Sequence, residues 1–448
     1  MLRASSRRRA RVFASTASSS KTSAAWAIGA SERGVAVSAV ARACRCARAR
    51  AWSSDARRSS EIESAWARAG RARGFAASSS DASAASAAVA GSVYDLDEYF
   101  MDTLLPEAAS VRALNDAFEY SNRMLNTQEG KKKSSPVRRL LARESDEALR
   151  MAIDSHRRVD VRGSRGSGKS VALARLVMRA REAGWVVAYL PDCLELTRFS
   201  FFSKSTKEGC EGLWDTPDCA MRVLKHVANA SNEEVLRSVK VQGVTLPQEQ
   251  SQKGKGKKAQ ASKASATDVD LFEYAKAGAS NPDIAIDCAI TVLGELRELA
   301  KRGEHKVVFI ADQYNTLFGP SDMHEVTGPR SNKNISVENL RLARAVIETI
   351  ESSADEDAKH VSVTAACESV GISNANTQRS RPNESDSSVG TVTIPKFSTD
   401  EIDVILREYK RVGIVKSVVD AQAVAAMKAL TNGNPREIQA LAATWTLS

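Results

Sequence analysis

No stretch of this chain approaches the roughly 18 consecutive apolar residues that a membrane-spanning helix requires, so none is expected. Cysteines are few and scattered. Cys44 and Cys46 lie near the N-terminus, and the other five (Cys193, Cys210, Cys219, Cys288, Cys367) have neither disulfide-framework nor zinc-site spacing, which suits a reducing compartment. The five histidines are isolated from one another, which argues against zinc ligation. Acidic residues are scarce at the N-terminus. The first is Glu32, and residues 1–80 hold fifteen Arg, one Lys and four acids, a net charge of +12. The rest of the chain carries 48 basic and 50 acidic residues, so the overall charge of +10 belongs entirely to the leader.

An Arg-, Ser- and Ala-rich, acid-poor leader has the composition of an organelle transit peptide. Arg73-Gly74-Phe75 before Ala76 places an arginine three residues upstream of a cut after Phe75, so residues 1–75 are read as a mitochondrial transit peptide. The alternatives are a retained basic arm that binds RNA, or a plastid leader, which the Ser/Ala richness would suit.

The centre of the chain carries its chemistry. Gly163-Ser164-Arg165-Gly166-Ser167-Gly168-Lys169-Ser170 completes the pattern GxxxxGK[ST]. Val159 and Val161 alternate before it as in a strand. Val171 follows, and Leu173, Leu176, Val177 and Ala180 recur at helical spacing. A strand–loop–helix is the context in which this motif cradles phosphate. Its glycines let the backbone curl, and its amides and the helix N-terminus turn partial positive charge inward. Lys169 would reach the outer phosphates, and the Ser170 hydroxyl would hold Mg²⁺.

The mature chain is expected to divide into an N-terminal extension (76–135), a nucleotide-binding α/β domain (136–396) and a C-terminal helical lid (397–448). Within the extension, Lys131 to Lys133 mark a basic loop. Residues 137–153 read as a helix, Trp185 to Leu190 as a buried strand, 214–239 as mostly helical and 283–302 as a helix. The run 247–267 is low in complexity and reads as a disordered insertion. Residues 319–335 read as a Gly/Pro/Asn loop, 337–351 as a helix, Val361 to Ala366 as a strand and 371–390 as a polar loop. Val392 to Pro395 reads as an edge strand. Helices are expected at about 398–411, 418–430 and 435–446, the first with Ser398 and Glu401 as a capping box.

Lys306 to Ala311 is an apolar strand that ends in Asp312, about 140 residues after the phosphate loop. A carboxylate at that strand end would complete the magnesium shell. Gln313 follows where many such ATPases place a glutamate base. Glu368 is the one nearby substitute, so no catalytic residue is assigned and turnover is expected to be weak or absent. The guanine-reading [NT]KxD motif is missing: Asn332-Lys333-Asn334-Ile335 lacks its aspartate. Near the end, Asn432-Gly433-Asn434-Pro435-Arg436 is a helix stop and start. Arg436 is either simply part of that turn or a phosphate sensor on the lid.

With these motifs assembled, the chain resembles the death-associated protein 3 family, P-loop proteins of the mitochondrial small ribosomal subunit. The resemblance spans about 93–448. It rests on GSRGSGKS, on WVVAYLPDC at Trp185 to Cys193, on VVFIADQYNTLFG at Val307 to Gly319 and on NGNPREIQ at Asn432 to Gln439. It implies an AAA+/signal-transduction ATPase-like P-loop fold, with a parallel sheet and a C-terminal helical lid. It further implies a bound GTP or GDP, with ATP as the alternative. Gly168, Lys169 and Ser170 would hold phosphate and Mg²⁺, and Asp312 would complete the metal shell. The partners it implies are small-subunit ribosomal proteins, rRNA and inter-subunit contacts. The segments 247–267 and 371–390 depart from the family pattern, and apoptotic roles do not transfer. The alternative reading is an organellar AAA+/signal-transduction-type ATPase switch.

Overall fold

The computed structural model describes residues 90–96, 104–107, 111, 138–198, 200–241, 269–328, 331–355, 357–367 and 388–444. The chain divides into two units, Met1–Ser79 and Ser80–Ser448, and every described residue lies in the second. The leader, most of the N-terminal extension with its Lys131 to Lys133 run, the 247–267 insertion, Glu368 and nearly all of 371–390 fall outside the described residues.

Five strands form the central sheet: β1 (Arg158–Arg162), β2 (Val186–Leu190), β3 (Val307–Ala311), β4 (Val361–Ala365) and β5 (Val389–Thr393). All pair in parallel, in the order β5-β1-β4-β3-β2. Strands β2, β3 and β4 are buried along their whole length, as a sheet covered on both faces requires. Successive residues then feed different layers. Val186, Ala188 and Leu190 join one core with Val307, Phe309 and Ala311. Val187 and Tyr189 join the other with Val308 and Ile310.

The second core is closed by α1 (Glu144–Ser155) and α2 (Lys169–Glu182), the first by α3 (Pro217–Val227), α4 (Leu271–Ser280), α5 (Pro282–Arg302) and α6 (Arg341–Glu351). Helix α5 shows how local chemistry sets the limits. Asn281 accepts from the Asp283 amide, Pro282 takes the first turn, and Gly303 ends the helix at φ 75°. After β5 the chain turns helical: α7 (Thr399–Arg411), α8 (Ala421–Thr431) and α9 (Pro435–Thr444). These three share a separate core around Ile402, Leu406, Val424, Met427 and Ile438. The Ser398/Glu401 capping box forms as the sequence predicts.

Two expectations need correction, and one helix is new. Residues 137–153 are not one helix: Arg138–Leu141 pairs antiparallel with Val93–Leu96, and α1 starts only at Glu144. Strand pairing with a distant segment overrides the local helical pattern. The 319–335 loop is a β-hairpin, Pro320–Gly328 with Ser331–Ser336. Its proline stands at the first strand position, where no ladder donor is lost, and Ser321, Met323 and Ile335 are buried. Helix α4 was not foreseen. It is capped by Asp270, whose carboxylate accepts from Glu273, and it packs in the core beside α3 and α5.

Glu107 and Arg181 form a forked ion pair behind the sheet, at 2.7 and 2.8 Å, and both side chains are almost fully buried. Burial alone would push the Glu107 carboxyl up; the charge and hydrogen bonds of Arg181 outweigh that and hold it below its ordinary value. Removing one partner strands a buried charge. Glu107→Ala is expected to cost about 3–5 kcal/mol, whereas the paired change Glu107→Leu with Arg181→Met costs far less. Denaturant midpoints of the two variants check this; equal losses would contradict it.

Candidate nucleotide site

The phosphate loop runs from the end of β1 into α2. Its shape depends on glycine at two crowded points. Gly163 has φ 149°, and a Cβ there would stand 2.6 Å from the Ile394 carbonyl. Gly166 has φ 81°, and a Cβ there would stand 2.5 Å from Asn434 Oδ1 and 2.9 Å from Arg436 Cβ. Gly168, at φ 102°, is the N-cap of α2, so the first amides of that helix have no intrahelical acceptor. The Lys169 ammonium crosses the loop and donates to the carbonyls of Gly163 at 2.6 Å and Ser164 at 3.2 Å. The Ser167 hydroxyl is buried within the loop without a hydrogen-bond partner. Val171 packs its side chain into the second core, so only its amide can serve a ligand.

Asp312 sits at the carboxyl end of β3. Its amide donates to Leu190 and its carbonyl accepts from Cys193, both at 3.0 Å, which locks the strand end to β2. Its carboxylate accepts from the Gln313 amide at 2.8 Å, and the Ser170 hydroxyl and Lys169 ammonium are near enough to pull its pKa down. Two oxygen-bearing side chains far apart in sequence thus come near one another beside the loop. A hydroxyl and a carboxylate are hard ligands, and Mg²⁺ takes few protein ligands, filling its shell with water and phosphate. The set therefore fits Mg²⁺. Among the described residues no group of three or more His, Cys, Asp or Glu could hold another metal. Gln313 follows in the left-handed region at φ 57°.

The C-terminal helices reach the loop through the turn before α9. Asn434 donates to the Arg165 carbonyl at 2.8 Å and accepts from the Arg436 amide at 3.1 Å. That amide also lies 3.4 Å from the Gly166 carbonyl. Arg436 is thus brought to the loop through its backbone, and its side chain is exposed. Asn434 touches the loop as well as capping α9, which the sequence reading did not anticipate. Arg143 went unnoticed too, yet it donates to the Ser167 carbonyl at 3.1 Å. No motif marks it: it is one arginine among several in a charged stretch.

A parallel α/β sheet with a phosphate loop after its first strand and an aspartate at the end of β3 defines a P-loop NTPase-like protein. Within that class, the model of the mitochondrial ribosomal death-associated protein 3 family matches residues 148–387, more than half of the chain, and the chain belongs to that family. The family is mitochondrial and ribosomal, which favours the mitochondrion over the plastid. Among the described residues no helix is long and apolar enough to cross a membrane.

A comparison with curated protein sequences finds no match. Similar solved structures include the Walker-type ATPase PABY2304 of Pyrococcus abyssi. It is 13% identical, with a TM-score of 0.37, over 67% of this chain and 66% of that one, just under two thirds of its length. The ORC2 protein of Aeropyrum pernix is 12% identical over 68% of each chain, with a TM-score of 0.30. The HORMA:CdnC:Trip13 complex of E. coli MS115-1 gives 11% identity over 76% of this chain and 80% of that one, with a TM-score of 0.27. Likenesses this loose carry no weight for the site; the fold class rests on the chain's own sheet and loop.

Burial, aided by the charge of Asp192, pushes the Asp312 carboxyl up to about 6, against the pull of Ser170, the Gln313 amide and Lys169. The folded value lies above the unfolded one, so the folded chain binds this proton more tightly. Stability from this group is full near pH 4 and falls as pH rises through 6. By neutral pH it is lower by on the order of 3 kcal/mol. Asp312→Asn cannot ionise. It is expected to raise the melting temperature of the metal-free protein at pH 7.5, to change it little near pH 4, and to abolish Mg²⁺-dependent stabilisation by nucleotide. A variant that melts below the parent at pH 7.5 would contradict this.

Proposed function

We propose that this chain is an architectural or assembly component of the mitochondrial small ribosomal subunit, braced by a bound purine nucleotide, GTP or GDP, with Mg²⁺. The amides and side chains of Gly163 to Val171 would surround the phosphates, with Lys169 on the outer ones and Arg436 at the lid side. Ser170 and Asp312 would hold the cation. Residues 1–75 would be removed on import, and the mature protein would touch small-subunit proteins and rRNA, with inter-subunit contacts at its surface. The observation that supports this reading is the phosphate loop itself, crossed by Lys169 and leading into α2, with the Asp312 carboxyl at the end of β3. Bound Mg²⁺ would supply charge neutralisation to the phosphates; the loop and helix α2 would supply orientation. The seat of Asn434 and Arg436 on the loop favours a second reading, a nucleotide-operated switch with turnover.

Small subunits purified from mitochondria decide between them. Denaturing them is expected to release a guanine nucleotide in step with the amount of this chain, and Lys169→Ala is expected to lose it. Nucleotide at ~100 times its Kd adds about 2.7 kcal/mol to the parent's unfolding free energy. Absence of the protein from the small subunit, or failure of every purine nucleotide to raise its melting temperature, would overturn the proposal. Turnover above ~1 per second by the free protein, lost in Lys169→Ala, would select the switch.

A further inference from the structure

Arg143 stands immediately before α1, remote in sequence from every motif above, with only 9% of its side chain exposed. Its guanidinium serves three parts of the chain at once. Nη1 donates to the Ser167 carbonyl of the phosphate loop at 3.1 Å. Nη2 donates to the Pro395 carbonyl at 2.8 Å, where the chain leaves the sheet. Nε donates to the Glu401 carboxylate at 2.8 Å, in the first turn of α7. The Phe397 ring covers the group, its centroid 4.8 Å from Cζ. Glu401 has a second task, accepting from the Ser398 amide at 2.8 Å to close the α7 capping box. One side chain thus joins the start of the first helix, the phosphate loop and the first turn of the C-terminal helices.

Peptide planarity gives this joint a consequence for the ligand. Fixing the Ser167 carbonyl toward Arg143 turns the Gly168 N–H the opposite way, because the two groups share one planar unit. Gly168 caps α2, so its amide belongs to the donor set that a phosphate would meet. A lysine in place of Arg143 carries all its donors on one nitrogen and could not match acceptors met separately by Nε, Nη1 and Nη2.

We propose that Arg143 is a positioning residue of the phosphate loop. It orients the Ser167–Gly168 peptide for phosphate and, through Glu401, couples phosphate binding to the docking of the C-terminal helices. The nucleotide half of this inference rests on the reading given under Proposed function; the mechanical half does not.

The test uses the full chain with Arg143→Lys, Arg143→Ala and Glu401→Gln, read by amide hydrogen exchange without nucleotide and by titration with Mg²⁺–GDP. Arg143→Lys is expected to melt close to the parent, yet to exchange faster at 164–170 and at 399–402 together. It is expected to bind Mg²⁺–GDP about 10-fold more weakly, within the usual span of coupling between sites. Glu401→Gln leaves the loop's own bonds intact, but is expected to speed exchange at 164–170 as well. Adding it to Arg143→Ala should cost less than the two separate effects combined. Faster exchange confined to 399–402, with the loop and the affinity at parent level, would make Arg143 a brace of α7 alone and overturn the proposal. If the parent binds no nucleotide, the reading of the site fails, while exchange at 164–170 still decides for or against Arg143.

Discussion

The structure depends on how the backbone of the phosphate loop is gripped from outside. Asn434 holds the Arg165 carbonyl, the Arg436 amide approaches the Gly166 carbonyl, and Arg143 holds the Ser167 carbonyl. Anchoring the Arg165 and Ser167 carbonyls sends the Gly166 and Gly168 N–H groups the other way, while the Ser167 N–H closes a turn onto the Ser164 carbonyl at 3.1 Å. An anion site made of amides needs this kind of support. The amides carry only partial charge, and any wobble in their direction weakens all of them together. It also explains why Gly166 cannot be replaced by a larger residue: the anchors stand where its side chain would be.

Two of these anchors, Asn434 and the Arg436 amide, come from the far end of the polypeptide, and that has an energetic meaning. The C-terminal helices share an apolar cluster of their own. Polar contacts tie them to the rest of the chain: Arg143 to Glu401, Arg139 to Glu408, and Asn434 to the loop. Polar joints of this kind contribute little net stability each, but they are directional. A ligand that binds the anchored loop more tightly than the loosened one therefore favours the docked helices, by as much as its affinity differs between the two. Asp312 supplies a second element of the same kind. Its burial disfavours the charge that a cation would favour, so the metal-free site is held away from its stability optimum at neutral pH.

The sheet domain was largely legible because burial is written directly into its strands. Val186 to Leu190 and Val307 to Ala311 are continuous apolar runs, and such runs have few other places to go. Caps were legible for the same reason: Ser398 and Glu401 act within three residues of each other. What escaped was non-local. The Arg138–Leu141 strand exists because Val93–Leu96 lies beside it, and the Pro320–Gly328 hairpin arm because Ser331–Ser336 returns along it. Neither partner advertises itself by periodicity. The site shows the same division. Lys169, Ser170 and Asp312 carry their chemistry in a local motif, whereas Arg143 gains its place only from a fold that brings Ser167, Pro395 and Glu401 to one point.

Charge bears on the proposed ribosomal setting in the same structural terms. Beyond residue 80 the chain is nearly neutral, and many of its described arginines are engaged with acids of the same molecule. Arg181 holds Glu107, Arg237 spans Glu233 and Glu273, Arg341 spans Asp215 and Asp287, and Arg411 holds Glu408. An arginine so engaged neutralises an rRNA phosphate only by leaving its partner. For the half-exposed pairs that exchange is nearly free, since such pairs contribute ~0–1 kcal/mol. For Arg181, buried together with Glu107, it would strand a carboxylate in the interior. RNA affinity grows with the number of phosphates neutralised, so a surface of this kind favours few, local RNA contacts and a larger share of protein contacts. That balance of charge suits the architectural role proposed for this chain.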